Sequence, residues 1–382
     1  MFYKKFATLA LISFSLLVFA CESAEENVTE VVTQENNTTE IAIENESVEK
    51  INVLATTPMI AEYVRQVGND NIDLNILMPY SADPHSFEAS PQDAKKIADA
   101  DLVFYVGLKY ESANLVELLE NSVSSEDILI EIGPSINPIE FSEEGHDDHE
   151  GHDDHEGHDD HEGHDDHEGH DHGIYDPHFW FDPVRVSMAV EVIKDELIKN
   201  DSANESSYAS AADSFVSELE ALDQNVVAMF ETIPVENRKI ITTHEALGYL
   251  EAKYEIEVLT TIIPSLNSED GITPKSLRNA IEVIEKNKIE VMFLEAESSS
   301  QYSEVIEQET GIALVSGLWV ETLQENQSYV EWLENNVTII VNNLPTEVHD
   351  DHDHDHDHDD HDDDDHDDDD DHDGHDHGKK DK

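Results

Sequence analysis

The chain has 382 residues and carries 90 Asp and Glu against 20 Lys and Arg, a formal net charge of −70. A surface of that sign repels nucleic acid and anionic membrane and favours cations. Its one cysteine, Cys21, leaves no internal disulfide, so the fold rests on burial alone.

Residues 1–21 have the layout of a secretory signal, with Lys4 and Lys5 ahead of an apolar run from Phe6 to Ala20 that is short for a membrane span. Val18-Phe19-Ala20-Cys21 resembles a lipobox, in which the cysteine is lipidated and becomes the new N-terminus. Phe19 is an unusual occupant of that motif, and the alternative is an ordinary signal peptide with a coincidental cysteine. Residues 22–50, rich in Glu, Asn, Thr and Val, read as a disordered acidic tether.

From residue 51, short apolar runs alternate with helical periods. Strands are expected at Ile51–Ala55, Ile72–Met78, Leu102–Val106 and Ile128–Ile132. Between them lie helices opened by Thr57-Pro58 and Ser90-Pro91, and a third from Tyr110 to Asn121. Nearly continuous apolar strands separated by helices predict parallel sheets covered on both faces, with ligands beyond the strands' carboxyl ends. His85 follows the second strand and falls on that edge.

Residues 143–172 interrupt this lobe with Glu-Gly-His-Asp-Asp-His repeats holding 15 acids and no Lys or Arg. Glycine in every unit and no apolar residue predict disorder. The tract's histidines, His146, His149, His152, His155, His158, His161, His164, His167, His170 and His172, are expected to form weak, interchangeable metal sites. Asp176-Pro177-His178-Phe179-Trp180-Phe181-Asp182-Pro183 closes the tract. Here one histidine sits among aromatics that can hold it still, and Asp182 and Pro183 start a helix to about Asn200.

Residues 204–232 contain no Gly or Pro, and Ala212, Phe215, Leu219, Leu222, Val226 and Phe230 recur at spacings of three and four. This predicts one long amphipathic helix joining two lobes. A second set of elements follows, with strands at Lys239–Thr243, Glu257–Ile263, Val291–Glu295 and Ala313–Ser316. Helices are expected near Leu247–Tyr254, Thr273–Asn287, Ser299–Thr310 and Ser328–Leu344. The first of these strands runs into His244, again at a carboxyl end. Residues 346–382 form an Asp/His tail that is expected to be disordered.

The fold class is therefore α/β, with two similar lobes, each a mostly parallel sheet flanked by helices, joined by a long bridging helix. The lobes are placed at 51–203 and 233–345, around the helix at 204–232. Of 23 histidines only His85, His178 and His244 lie outside the two tracts, and all three stand at strand ends or element junctions. Three imidazoles with one oxygen donor make the tetrahedral set that Zn²⁺ accepts, whereas Mn²⁺ usually draws more carboxylates.

Four segments carry a family resemblance. They are Met78-Pro79 with Asp83-Pro84-His85-Ser86-Phe87-Glu88-Ala89-Ser90-Pro91, then Asp176 to Pro183, Thr243-His244-Glu245-Ala246-Leu247-Gly248-Tyr249, and the Phe293-Leu294-Glu295 strand. In combination and order they resemble the metal-binding subunits of ABC-type zinc and manganese importers, the cluster A-I solute-binding proteins, over residues 51–345. The acidic His-rich insertion is similar to that of the zinc-specific members. The resemblance implies metal held between the lobes by His85, His178 and His244 and delivered to a membrane permease. The fourth ligand in many members is an Asp, absent from Val315-Ser316-Gly317-Leu318-Trp319-Val320-Glu321, so Glu321, another carboxylate or water takes that place.

The expected function is extracytoplasmic capture of Zn²⁺ by a monomer, lipid-anchored at a periplasmic or cell-surface face, for a cognate permease. Mn²⁺ is the less favoured cargo. An extracellular metal buffer or adhesin acting through the tracts ranks second. A zinc hydrolase ranks third, because Glu245 follows His244 with no His-Glu-x-x-His spacing to supply a general base.

Overall fold

A computed structural model describes residues 50–80, 82–141, 175–297 and 302–347. Cys21, the acidic tether up to residue 49, the repeat histidines His146 to His172 and the tail from residue 348 lie outside the described residues.

The first lobe is built on β1 (Ile51–Ala55), β2 (Ile72–Ile76), β3 (Leu102–Tyr105) and β4 (Leu129–Glu131), all parallel, in the order β2-β1-β3-β4. Its crossovers are α1 (Pro58–Gly68), α2 (Pro91–Ala98) and α3 (Ala113–Ser122). Parallel strands bury both faces, and the alternation of side chains shows it. Val53, Ala55, Leu102 and Phe104 enter the main core, while Leu54 and Val103 join Leu77, Ile97, Leu115 and Leu119 beneath α2 and α3.

After α4 (Pro183–Asn200) and α5 (Glu205–Phe230) come β5 (Lys239–His244), α6 (Gly248–Tyr254), β6 (Glu257–Ile263), α7 (Pro274–Asn287) and β7 (Val291–Glu295). The order ends with α8 (Ser303–Thr310), β8 (Ala313–Leu318) and α9 (Tyr329–Asn343). Here the strands pair as two parallel ladders, β5 with β6 and β7 with β8. β5 and β7 lie side by side, and Glu295 N–H donates to Thr243 Oγ1 at 3.4 Å, a side-chain link in place of a backbone rung. The same two-sided burial recurs, with Ile240 and Phe293 facing the main core and Ile241, Met292 and Leu294 facing Ala280, Ile284 and Ile306 of α7 and α8.

Helix starts follow the expected chemistry. Thr57 caps α1 and Asp182 caps α4, each ahead of a proline in the first turn. The long helix is continuous over 26 residues, about 39 Å at 1.5 Å per residue. Its buried stripe is Tyr208, Ala212, Phe215, Leu219, Leu222, Val226 and Phe230, and it packs on α1, α4 and α9. One core cluster therefore runs from Val53 of the first lobe through α5 to Val337 of α9. Among the described residues no helix is long and apolar enough to cross a membrane.

One element starts later than its sequence suggests. The pattern predicts a helix from Tyr110, yet α3 begins at Ala113. Gly107, Leu108 and Lys109 all take positive φ, which closes a tight turn after β3. The Glu111 carboxylate accepts N–H bonds from Val106 and Gly107 and the Thr56 hydroxyl at 2.7–2.9 Å, which holds this turn, and Ser112 then caps α3 by accepting the Leu115 N–H. Tyr110 is consequently presented on a turn.

Candidate metal centre

Four side chains from four loop or strand ends converge between the sheets. His85 comes from the loop after β2, His178 from the turn before Phe179–Phe181, His244 from the last position of β5, and Glu321 from the loop after β8. One ligand atom from each lies within 4.8 Å of every other, and all four residues are buried. Glu321 Oε1 stands 2.7 Å from His244 Nε2, 3.3 Å from His178 Nε2 and 3.5 Å from His85 Nε2. These approaches lack hydrogen-bond alignment, so four buried polar atoms remain without a partner. Orphaned buried polar atoms are costly, and four facing one another fit a shared cation. Bonds of about 2.0–2.1 Å in a tetrahedron would separate ligand atoms by roughly 3.3 Å. Two of the three distances already match, and the third needs to open.

The imidazoles are aimed by neighbours the sequence reading did not assign. His178 Nδ1 lies 2.8 Å from Asp176 Oδ1, which also accepts the His178 N–H. His244 Nδ1 lies 2.7 Å from Glu295 Oε2, whose other oxygen accepts the His244 N–H at 2.9 Å. A carboxylate on Nδ1 leaves Nε2 as the metal-facing atom and raises its basicity. Asp176 is held in turn by the Tyr249 hydroxyl, which donates to its carbonyl at 2.7 Å. Gly248 has to be small: a Cβ there would sit 2.6 Å from Asp176 Oδ2.

Glu321 offers one oxygen inward. Its other oxygen, Oε2, accepts the Tyr110 hydroxyl at 2.8 Å. The Trp180 indole donates to the carbonyl of Val320 at 2.7 Å and stacks edge-on against both Tyr110 and His178, forming an aromatic wall. The N–H groups of Val320, Glu321 and Thr322 all converge on Glu297 Oε1 at 3.0–3.3 Å. Beside His85 a cavity of about 820 Å³ opens, bounded by Tyr110, Pro177, Leu266 and Asp270 and by Glu117, Glu120 and Glu131.

Three members of the cluster shift away from their ordinary pKa values. Burial alone pushes the His178 ring down, but Glu321 and Asp176 outweigh it and bring its pKa up to about 9. His244 likewise loses solvent yet is held well above the usual histidine range by Glu295 and Glu321. Glu321 is pushed up by burial and pulled further down by His178 and His85, ending well below the carboxylate range. Protons and a carboxylate thus balance charge in the place a cation would take.

The structure brings together all four candidates named from sequence. The contacts that Tyr110, Asp176, Glu295 and Glu297 make to this cluster were not foreseen from the sequence. Asp176 and Glu295 carried a signal, since each lies in a segment singled out for its resemblance, whereas Tyr110 and Glu297 had none.

Residues 53–343 match the family described as zinc-uptake complex component A, periplasmic. The manganese ABC transporter substrate-binding lipoprotein of Streptococcus anginosus is 24% identical over 352 residues, covering 89% of this chain and 99% of its own. The metal ABC transporter substrate-binding lipoprotein of Streptococcus cristatus is 25% identical over 305 residues, covering 77% of this chain and 89% of its own. Among solved structures, the periplasmic zinc binding protein of Treponema pallidum aligns with a TM-score of 0.66 at 20% identity, covering 77% of this chain and 99% of that one. Fe(III)-bound YtgA of Chlamydia trachomatis aligns at 0.64 and 24% identity, covering 78% and 100%. At these identities the likeness shows the two-lobed fold.

Proposed function

The chain belongs to the family of zinc-uptake complex component A, and on that premise we propose that it captures Zn²⁺ between its lobes and delivers it to a cognate ABC-type permease. The family consists of binding components of transporters rather than enzymes. The relatives' naming as lipoproteins supports a place on the extracytoplasmic face of the membrane, with Cys21 as the anchor and residues 22–50 as the tether.

His85, His178, His244 and Glu321 are the ligands in this reading. The observation that carries it is the division of labour on Glu321: one oxygen faces three imidazole nitrogens while Tyr110 occupies the other. A carboxylate restrained to one oxygen gives three nitrogens and one oxygen, a four-donor set suited to Zn²⁺. Mn²⁺ favours more oxygen donors and a larger shell. A manganese cargo is the second reading, because several relatives are named for that metal.

The test is chelator-competition titration with Zn²⁺ and Mn²⁺ on the full chain, on the chain lacking residues 143–172, and on each with His178→Ala. One tight Zn²⁺ site that survives deletion of the tract and disappears with His178→Ala is the expected result. Tight Mn²⁺ binding with weak Zn²⁺ binding selects the second reading. Binding that is only weak and indifferent to His178→Ala moves function to the His-rich tracts, as in a buffer or adhesin.

A further inference from the structure

Glu297 is a half-buried acid placed against a fully buried one, Glu321, an arrangement with no electrostatic benefit of its own. Its hydrogen bonds give the reason. Three consecutive backbone N–H groups, those of Val320, Glu321 and Thr322, converge on Glu297 Oε1 at 3.0, 3.1 and 3.3 Å, and Val320 N–H also reaches Oε2 at 3.3 Å. Glu321 and Thr322 are buried, so without this carboxylate the donors would lack both water and a protein acceptor.

The carbonyl side of the same loop is held from the other lobe. Val320 C=O accepts the Trp180 indole N–H at 2.7 Å, and Glu321 C=O lies 3.3 Å from the Tyr110 hydroxyl, a longer second acceptor for the proton that goes to Oε2 at 2.8 Å. The backbone of Glu321 is thus gripped on its amide side by Glu297 and on its carbonyl side by the aromatic wall. Glutamate has one more rotatable bond than aspartate, and a loose backbone would let Oε2 swing inward as a second donor.

We propose that Glu297 is a positioning residue that fixes Glu321 as a one-oxygen ligand and so tilts the cleft toward four-coordinate metal. This rests on the reading of Glu321 as a ligand. Glu297 touches no metal in this arrangement and acts through the loop alone.

The experiment uses the full chain as wild type, Glu297→Ala and Glu297→Gln. Each is titrated with Co²⁺ as a spectroscopic stand-in, then with Zn²⁺ and Mn²⁺ in chelator competition, with thermal unfolding of the metal-free forms alongside. Glu297→Gln keeps an acceptor oxygen for the three N–H groups and is expected to retain the intense visible bands of four-coordinate Co²⁺. Glu297→Ala is expected to lose those bands, to weaken Zn²⁺ binding by about 10- to 100-fold, the usual cost of an outer partner, and to lower the Zn²⁺/Mn²⁺ affinity ratio. A Glu297→Ala protein that keeps both the bands and the ratio, whatever its thermal stability, overturns the proposal. If Glu297→Ala does not fold, loss of the bands in a folded Glu297→Gln likewise overturns it, since an acceptor oxygen alone would then not suffice. A wild type with no tight site at all refutes the ligand reading instead, which keeps the two failures apart.

Discussion

Tyr110 and Glu321, carried by different sheets, meet in a 2.8 Å hydrogen bond in which the phenol donates to Oε2. The bond divides the two carboxylate oxygens between a protein donor and the three histidines. Burial and the neighbouring Glu321 keep the Tyr110 hydroxyl protonated, its pKa well above the usual tyrosine range.

Tyr110→Phe removes the donor and leaves Oε2 buried without a partner. We expect Zn²⁺ affinity to fall by about tenfold, in the range of a lost bond to a charged group, while Mn²⁺ affinity holds or rises. Competition titrations with both metals check this. An unchanged Zn²⁺/Mn²⁺ ratio would show that Tyr110 does not restrain the carboxylate.

Asp176→Ala frees the His178 ring from the contact that orients it. Loss of such a partner costs about 10–100-fold in metal affinity, and the same is expected of Glu295→Ala for His244. Circular dichroism on the metal-free proteins separates this loss from misfolding.

Metal binding should release protons. With His178 raised to about 9 in the metal-free cleft, the ring is protonated at neutral pH and a cation must displace that proton. Apparent Zn²⁺ affinity therefore weakens as pH falls from about 9, by roughly tenfold per unit for each proton released. The window lies above the ordinary histidine value near 6.5 because Glu321 and Asp176 overcome the effect of burial. Calorimetry in buffers of different ionisation enthalpy reads the proton count, and binding indifferent to pH between 6 and 8 would contradict imidazole ligation.

The same shift sets a stability trend. A folded-state pKa above the unfolded one stabilises the metal-free fold fully below about 6.5, and this contribution is lost as pH rises through about 9. Thermal unfolding of the metal-free protein should drop between pH 7 and 10, and Zn²⁺ loading should flatten the trend.

Leu219→Ala tests the spine. Leu219 is fully buried on α5, where the first lobe's α1 and the later α9 pack against the same helix. Truncation should cost about 2–5 kcal/mol, measured as a shift in the denaturant midpoint, and it leaves every ligand side chain in place.

Strand and helix alternation, the amphipathic period of α5 and the cap-proline starts were legible because they are local. Periodicity two or three-to-four shows in any short window, and the Thr57-Pro58 and Asp182-Pro183 starts need only neighbouring residues. His85, His178 and His244 stood out because every other histidine lies in the repetitive tracts. Residues 110–112 are read as helix from the pattern, whereas Ser112 caps α3 and Glu111 is drawn back to Val106 N–H and across to Thr56, 55 positions away in sequence.

The sequence by itself determined the α/β class, the long bridging helix and the three histidines, each carried by side-chain type and spacing along the chain. Only the tertiary structure decided that Glu321 meets the three histidines, that Tyr110 bonds its second oxygen, and that Asp176, Glu295 and Glu297 bond to His178, His244 and the Glu321 loop. Those contacts join residues up to 211 positions apart, as between Tyr110 and Glu321. A hydrogen bond of 2.8 Å depends on where two loops end in space, and no pattern along the chain encodes that distance without the packing of both lobes on α5.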